Sequence, residues 1–172
     1  TDLRGWEWRY LWQQCQSDAL FTLCQLSNEV DALSVSHDGK WVAIGEYGDN
    51  GISIWDLRAR QEIARFPSGE GGEPFAFSPV APLLAFFSTD RPKREGPPSI
   101  RSRVSLWDAV SRRIMGDLPV SGALSALAFS ADGTKLLTTG GNTEFIIWSV
   151  AEGIKLTSMI VSDAKESGNR LP

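Results

Sequence analysis

Histidine and cysteine are nearly missing from this sequence: His37 is the one histidine, and Cys15 and Cys24 are the two cysteines. A zinc site of the common Cys/His kinds needs about four ligands at tight spacings, which the chain does not supply by itself. A lone histidine could serve one nucleophilic triad, but no Gly-x-Ser-x-Gly elbow accompanies it. No Gly-x-x-x-x-Gly-Lys-Ser/Thr phosphate loop occurs either. Two cysteines do not make a secreted disulfide framework, and they fit ordinary buried thiols better than a redox pair. Long apolar runs are absent as well. The run from Val80 to Phe87 is eight residues with Pro82 inside it, whereas a membrane-spanning helix needs about 20. Positive charge is in deficit: 17 Lys and Arg against 21 Asp and Glu leave a net charge of −4. That balance disfavours nucleic acid or an anionic membrane as a partner. Catalytic, cofactor-binding and metal-binding residues are therefore expected to be none.

What the chain does have is an ordinary globular composition, 42% hydrophobic and 22% charged over 172 residues, about one domain by length. It begins at Thr1 with no charged-then-apolar leader. It is expected to be a piece of a longer, cytoplasmic protein.

Repeats organise the sequence. Three apolar runs end in serine: Ala32–Ser36, Phe75–Ser78 and Ala126–Ser130. Turns follow, made by Asp38-Gly39 and Asp132-Gly133 in the outer copies and by Pro79 to Pro82 in the middle one. Second runs follow at Trp41–Ile44, Leu83–Phe87 and Lys135–Thr139, and third runs ending in tryptophan at Ile52–Asp56, Val104–Asp108 and Phe145–Ser149. Weaker fourth runs occupy Glu62–Phe66, Arg113–Leu118 and Ile154–Ile160. The serines Ser36, Ser78 and Ser130 lie 42 and 52 residues apart, and the tryptophans Trp55, Trp107 and Trp148 lie 52 and 41 apart. One unit of about 40 residues thus recurs, and the middle copy carries about ten extra residues between Ser88 and Arg103. Short, evenly spaced, β-rich runs separated by Gly, Pro, Asp and Asn turns predict an all-β architecture. The nearly continuous apolar first runs of the later copies predict strands buried on both faces.

The unit apolar-Ser-x-Asp-Gly-x-apolar, followed by Ile-x-Ile-Trp-Asp, resembles the WD repeat of β-propellers, which has about 40–45 residues and four strands per blade. The resemblance covers Leu20 to about Val161. It implies a partial β-propeller of three four-stranded WD-type blades, at about 19–66, 67–118 and 119–161, between a lead-in at 1–18 and a tail at 162–172 leading to a further blade. The fullest form of the motif carries a histidine ten residues before the serine, where this sequence has Leu26, Ser68 and Val120. Its aspartate, six residues before the tryptophan, is matched by Asp49, replaced by Arg101 and approximated by Asn142. Tryptophan packing is therefore expected to outweigh the polar network of the family. Structural blade positions are Trp55, Asp56, Trp107, Asp108, Trp148, Asp49 and Asn142.

The lead-in is Trp-rich. Trp6, Trp8, Tyr10 and Trp12 alternate as in a strand, yet Leu3, Trp6 and Tyr10 share a helical face. The absence of β-branched residues from Gly5 to Gln16 favours the helix. The stretch Leu-Arg-Gly-Trp-Glu-Trp-x-x-Leu resembles the one preceding the propeller in large bacterial multidomain signalling proteins, many with a Ser/Thr kinase domain upstream. Ala19 to Leu23 has the pattern of a fourth strand that completes a last blade.

Loops and faces carry function in such repeats. The insertion supplies five basic residues, Arg91, Lys93, Arg94, Arg101 and Arg103, with three prolines to restrict it. It reads as a solvated loop or as an arm for an acidic or phosphorylated partner. Glu46 and Tyr47 occupy the corresponding loop of the first copy beside Asp49, as interaction residues or plain turn residues. Trp41, Trp55, Trp107 and Trp148 are expected to pack between blades, His37 to be a turn residue, and Trp6, Trp8 and Trp12 to seal a domain join or form an exposed patch.

The expected function is a non-catalytic scaffold for a protein or peptide partner. The alternatives are a recruiting arm of a bacterial Ser/Thr kinase, or part of a propeller enzyme with catalytic residues elsewhere. Propellers close with about 4–8 blades, so three blades expose an apolar face and sheet edges. The chain by itself is expected to self-associate, with light scattering reporting species larger than a monomer; a monomer with one cooperative melt would contradict this.

Overall fold

The serines that end the first runs hold the turns after them. In the first repeat Ser36 Oγ donates to Asp38 Oδ1 and accepts the Trp41 N–H, both at 2.9 Å, while Asp38 also accepts the Lys40 N–H. The third repeat repeats the pattern, with Ser130 donating to Asp132 and accepting the Lys135 N–H at 3.0 Å. The Lys40 side chain foremost, and the Ser36 hydroxyl, lower the Asp38 carboxyl to about 2. The Ser130 hydroxyl foremost, with Thr134, does the same to Asp132, also to about 2.

The computed structural model describes residues 5–15, 21–48, 51–67, 74–90, 101–140 and 144–160. Helix α1 spans Trp6–Cys15, the favoured of the two readings of the lead-in. The first blade is β1 (Val30–Val35), β2 (Trp41–Glu46), β3 (Ile52–Asp56) and β4 (Gln61–Phe66). The second is β5 (Phe75–Phe77), β6 (Leu83–Asp90), β7 (Arg101–Asp108) and β8 (Arg113–Val120). The third is β9 (Leu124–Phe129), β10 (Lys135–Gly140), β11 (Glu144–Ser149) and β12 (Lys155–Ile160). Each is an antiparallel four-stranded meander in sequence order. This is a set of WD-type blades with a short helix ahead of them.

The tryptophan at the end of each third strand and the residue after it, Asp56, Asp108 or Ser149, do two jobs. Trp107 and Trp148 are buried between sheets, and the Trp148 indole donates to Thr138 Oγ1 at 3.0 Å, as Trp55 does to Ser53 Oγ. A single hydroxyl thus satisfies the indole N–H that burial would otherwise orphan. The aspartate caps the next turn: Asp56 accepts the Ala59 N–H, and Asp108 accepts those of Val110 and Ser111. Ser149 holds the same place in the third blade, accepting the Glu152 N–H at 3.4 Å. Each of these turns then needs a left-handed residue. The third blade uses Gly153 (φ 66°), but the first two force Arg60 (φ 55°) and Arg112 (φ 56°) into that region.

The blades join face to face through their first strands, β1 against β5 and β5 against β9. One core gathers Ile52, Ile54, Phe75, Phe77, Leu84 and Trp107 between the first two blades. The other gathers Phe87, Val104, Leu118, Leu127, Leu136 and Trp148 between the second and third. Burying each such side chain contributes about 1.5–3 kcal/mol. The turns interlock too: a Cβ on Gly133 would lie 2.4 Å from Val80 Cγ2, while its counterpart Gly39 has nothing within 4 Å. Gly39 belongs to the first blade, which has no described blade on that side.

The same asymmetry corrects one expectation. In β5 Phe75 and Phe77 are buried and Ala76 is half-buried, but in β9 Ser125, Ala126 and Ala128 are exposed and β12 is exposed throughout. No described sheet covers the far face of the third blade. The described residues of Ala19–Leu23 also form no strand. Each sheet holds only its own four strands, so among the described residues no ladder takes the segment up. Phe21 instead lies under the Arg60 guanidinium, 4.1 Å from the ring centre.

Replacing Arg112 by glycine relieves the left-handed strain that Gly153 avoids. Arg112→Gly should stabilise the chain by about 0.5–1 kcal/mol, seen as a higher urea midpoint at unchanged slope; a lower midpoint would refute the strain argument.

Candidate interaction surface

The second strands of the three blades end at Glu46, Asp90 and Gly140, where the loops to the third strands begin. At the first blade the chain leaves β2 at Glu46, and the interaction residues expected there separate. Tyr47 is exposed, with its backbone fixed: its N–H donates to Glu29 O (2.9 Å) and its carbonyl accepts from Asn28 Nδ2 (3.1 Å). Glu46 is the last residue of β2 rather than a loop residue, and it is 4% exposed. Its carboxylate accepts from Arg65 Nη1 at 3.1 Å across the sheet. Arg65 also grips Glu62 through Nε at 2.9 Å and Nη2 at 2.8 Å. Glu62 foremost, with Glu46, raises the Arg65 guanidinium above its ordinary value, and the Arg65 hydrogen bond lowers Glu62. Burial and the charges of Glu46 and Glu62 raise the nearby Cys24 thiol, and Cys24 is free.

Sequence reasoning missed Arg65. The one signal was a charge beside apolar residues in each of two runs, Glu46 after Ile44-Gly45 and Arg65 between Ala64 and Phe66. Only the register of β2, β3 and β4 brings the two together.

At the second blade, part of the extra length is built into the sheet. β6 and β7 continue their ladder through Ser88↔Arg103, Thr89↔Ser102 and Asp90↔Arg101. This lengthened hairpin carries the backbone of Arg101 and the side chain of Arg103, whose Nε lies 3.8 Å from Asp117 Oδ1. Beside it is a depression of about 570 Å³ lined by Ser102, Arg103, Asp117, Pro119 and Ser121 among others. Arg91, Lys93, Arg94, Asp49 and Asn142 lie outside the described residues, as does the side chain of Arg101. Trp41 and Trp55 are half-buried within the first blade. Trp6 and Trp12 are exposed on α1, where the Trp8 and Trp12 rings stack at 5.3 Å. Among the described residues no group of three or more His, Cys, Asp or Glu is placed to hold a metal, and no helix is long and apolar enough to cross a membrane.

Three four-stranded meanders, each closing its third strand on a buried or half-buried tryptophan, have the arrangement of β-propeller blades. Residues 19–56 match the family model described as WD domain, G-beta repeat. Over 144 residues, 83% of this chain, the sequence is 27% identical to the Periodic tryptophan protein 2 homolog of Schizosaccharomyces pombe. The chain spans 16% of that protein's length.

The Glu46–Arg65 pair is partly buried on one side and more open on the other, Arg65 being 39% exposed. Arg65→Ala removes the cation facing a buried carboxylate and should cost about 1–3 kcal/mol after allowance for solvent screening. Glu46→Gln should cost less, because a neutral amide needs no cation. Chemical denaturation of the two variants checks the order; equal losses would mean the charge is immaterial.

Proposed function

We propose that this chain is a non-catalytic protein-interaction scaffold whose docking end is formed by Tyr47 and the lengthened β6–β7 hairpin. The observation that carries this reading is the hairpin. It extends the sheet with further ladder pairs up to Asp90↔Arg101, carries Arg103, and brackets the stretch of sequence that holds Arg91, Lys93 and Arg94. Arginine and lysine concentrated there in an otherwise acidic chain suit an acidic or phosphorylated peptide. The likeness to a WD-repeat protein supports a protein partner. A cytoplasmic setting agrees with this reading, and the open faces of the first and third blades support association with further blades, including those of a second copy.

A second reading makes the same chain the recruiting arm of a larger signalling protein, such as a Ser/Thr kinase. The exposed Trp6 and Trp12 of α1 favour it, since an apolar patch of that kind marks a contact with a neighbouring domain.

The scaffold reading is tested by reversing charge at Arg91, Lys93 and Arg94 together. Fluorescence polarisation with labelled acidic and phosphoserine peptides should show binding to the parent chain and at least about tenfold weaker binding to the variant. The circular dichroism melt should not move. Undiminished binding by the reversed chain would sink the assignment of this end as the docking site.

A further inference from the structure

The two blade joints are filled differently. Between the first and second blades the ring of Phe66 stacks on Phe86 at 4.3 Å and meets Trp107 edge-on at 5.6 Å. Ala64, two residues earlier on β4, packs against the same core. In the second blade the matching register positions are Leu118 and Gly116. A Cβ built on Gly116 would meet nothing within 4 Å. The joint between the second and third blades therefore keeps an open groove of about 540 Å³. Leu83, Leu106 and Leu118 form its apolar wall, Val150 closes it from the third blade, and Met115, 65% exposed, stands at its mouth.

The backbone does not explain this glycine. Gly116 follows a bulge at Met115, where the β7–β8 register shifts. The same bulge recurs in the other blades, where Ala64 and Thr157 hold the position, and Gly116 is not among the residues with positive φ. Glycine inside a strand weakens it, and where geometry does not require it, it marks close approach by a ligand or another chain. The groove's charge is one-sided: Asp108, Asp117 and Glu152 line it, with no Lys or Arg lining it. Asp108 Oδ1 accepts two turn N–H groups, and Asp117 Oδ1 accepts from Ser105 Oγ at 2.6 Å and faces Arg103 Nε at 3.8 Å. A carboxylate has two oxygens and about four acceptor sites, so each keeps capacity for a further donor.

We propose that the groove between the second and third blades is a second docking site, taking a peptide that inserts an aliphatic side chain beside Gly116 and sets an adjacent Lys or Arg against Asp117 and Glu152. This rests on the scaffold reading and adds a site whose preferred partner has the opposite charge from the one suited to the hairpin.

The test is selection of a phage-displayed library of short random peptides on the chain, followed by fluorescence polarisation of the selected sequences. Selected peptides should pair an aliphatic residue with Lys or Arg. They should bind Gly116→Val, which fills the groove, at least about tenfold more weakly, with no loss of thermal stability. Glu152→Lys, on an exposed turn, should weaken them as well. Peptides that bind Gly116→Val as tightly as the parent overturn the proposal. Acidic peptides that respond only to charge reversal at Arg91, Lys93 and Arg94 overturn the groove while leaving the scaffold reading standing. No selected peptide of either kind would overturn both.

Discussion

Face-to-face packing of one sheet on the next is the constraint on which the rest of this molecule depends. A four-stranded meander has two faces and no means of burying both by itself. In the second blade, flanked on both sides, Leu84, Ala85, Val104 and Leu106 lie at 0–4% exposure, and the middle strands of the first blade are buried as well, with Ala43, Ile52 and Ile54 at 0–1%. The first and third blades each have a face without a described neighbour, and Leu33, Val35, Leu156 and Met159 are exposed there. Identical strand patterns thus end in different burial according to their neighbours.

Polar groups are handled locally, which lets the blades stack. Ser36 with Asp38, Ser130 with Asp132, and Asp56 and Asp108 all satisfy turn N–H groups within a few residues. The indoles of Trp55 and Trp148 take hydroxyls from their own sheets. Little buried polarity is left for a neighbour to satisfy, although Phe77 N–H does reach across to Ser34 Oγ at 2.9 Å. This economy fits a sequence that lacks the histidine of the fullest motif in all three copies. Where polar contacts do span a sheet, as from Glu46 to Arg65, they tie inner to outer strands of one blade.

Specialisation comes from departures from the repeat. The middle copy lengthens its β6–β7 hairpin by the ladder pairs Ser88↔Arg103 to Asp90↔Arg101. It also has Gly116 where the first copy has Ala64, and so opens its joint with the third blade. Both departures fall on the blade that is best supported on both sides. Strand-interior glycine and a protruding hairpin each weaken a sheet locally, and the central blade has the most packing to offset them.

Much of the fold was legible because a propeller blade is a local object. All twelve strands fall on the runs identified by their terminal serine, tryptophan or turn residues, within a few residues at each end. The helix of the lead-in followed from propensity over Gly5 to Gln16. Of the candidate surface, Tyr47 is exposed as a loop residue should be, but Glu46 is not. An acidic residue after Ile44-Gly45 gives no local sign that a guanidinium from β4 will cover it. The described part of Ala19–Leu23, expected as a strand completing a last blade, joins none of the three described sheets, because a strand exists only where another edge accepts its hydrogen bonds. The sequence by itself determined the repeat, its turns and its strand boundaries, since these depend on periodicity and on hydrogen bonds spanning a few residues. Tertiary structure alone decided which faces are buried, which charges are paired and where a groove stays open. Those depend on what the neighbouring blade brings to the joint, some 40 to 50 residues away, as the 42- and 52-residue spacings require.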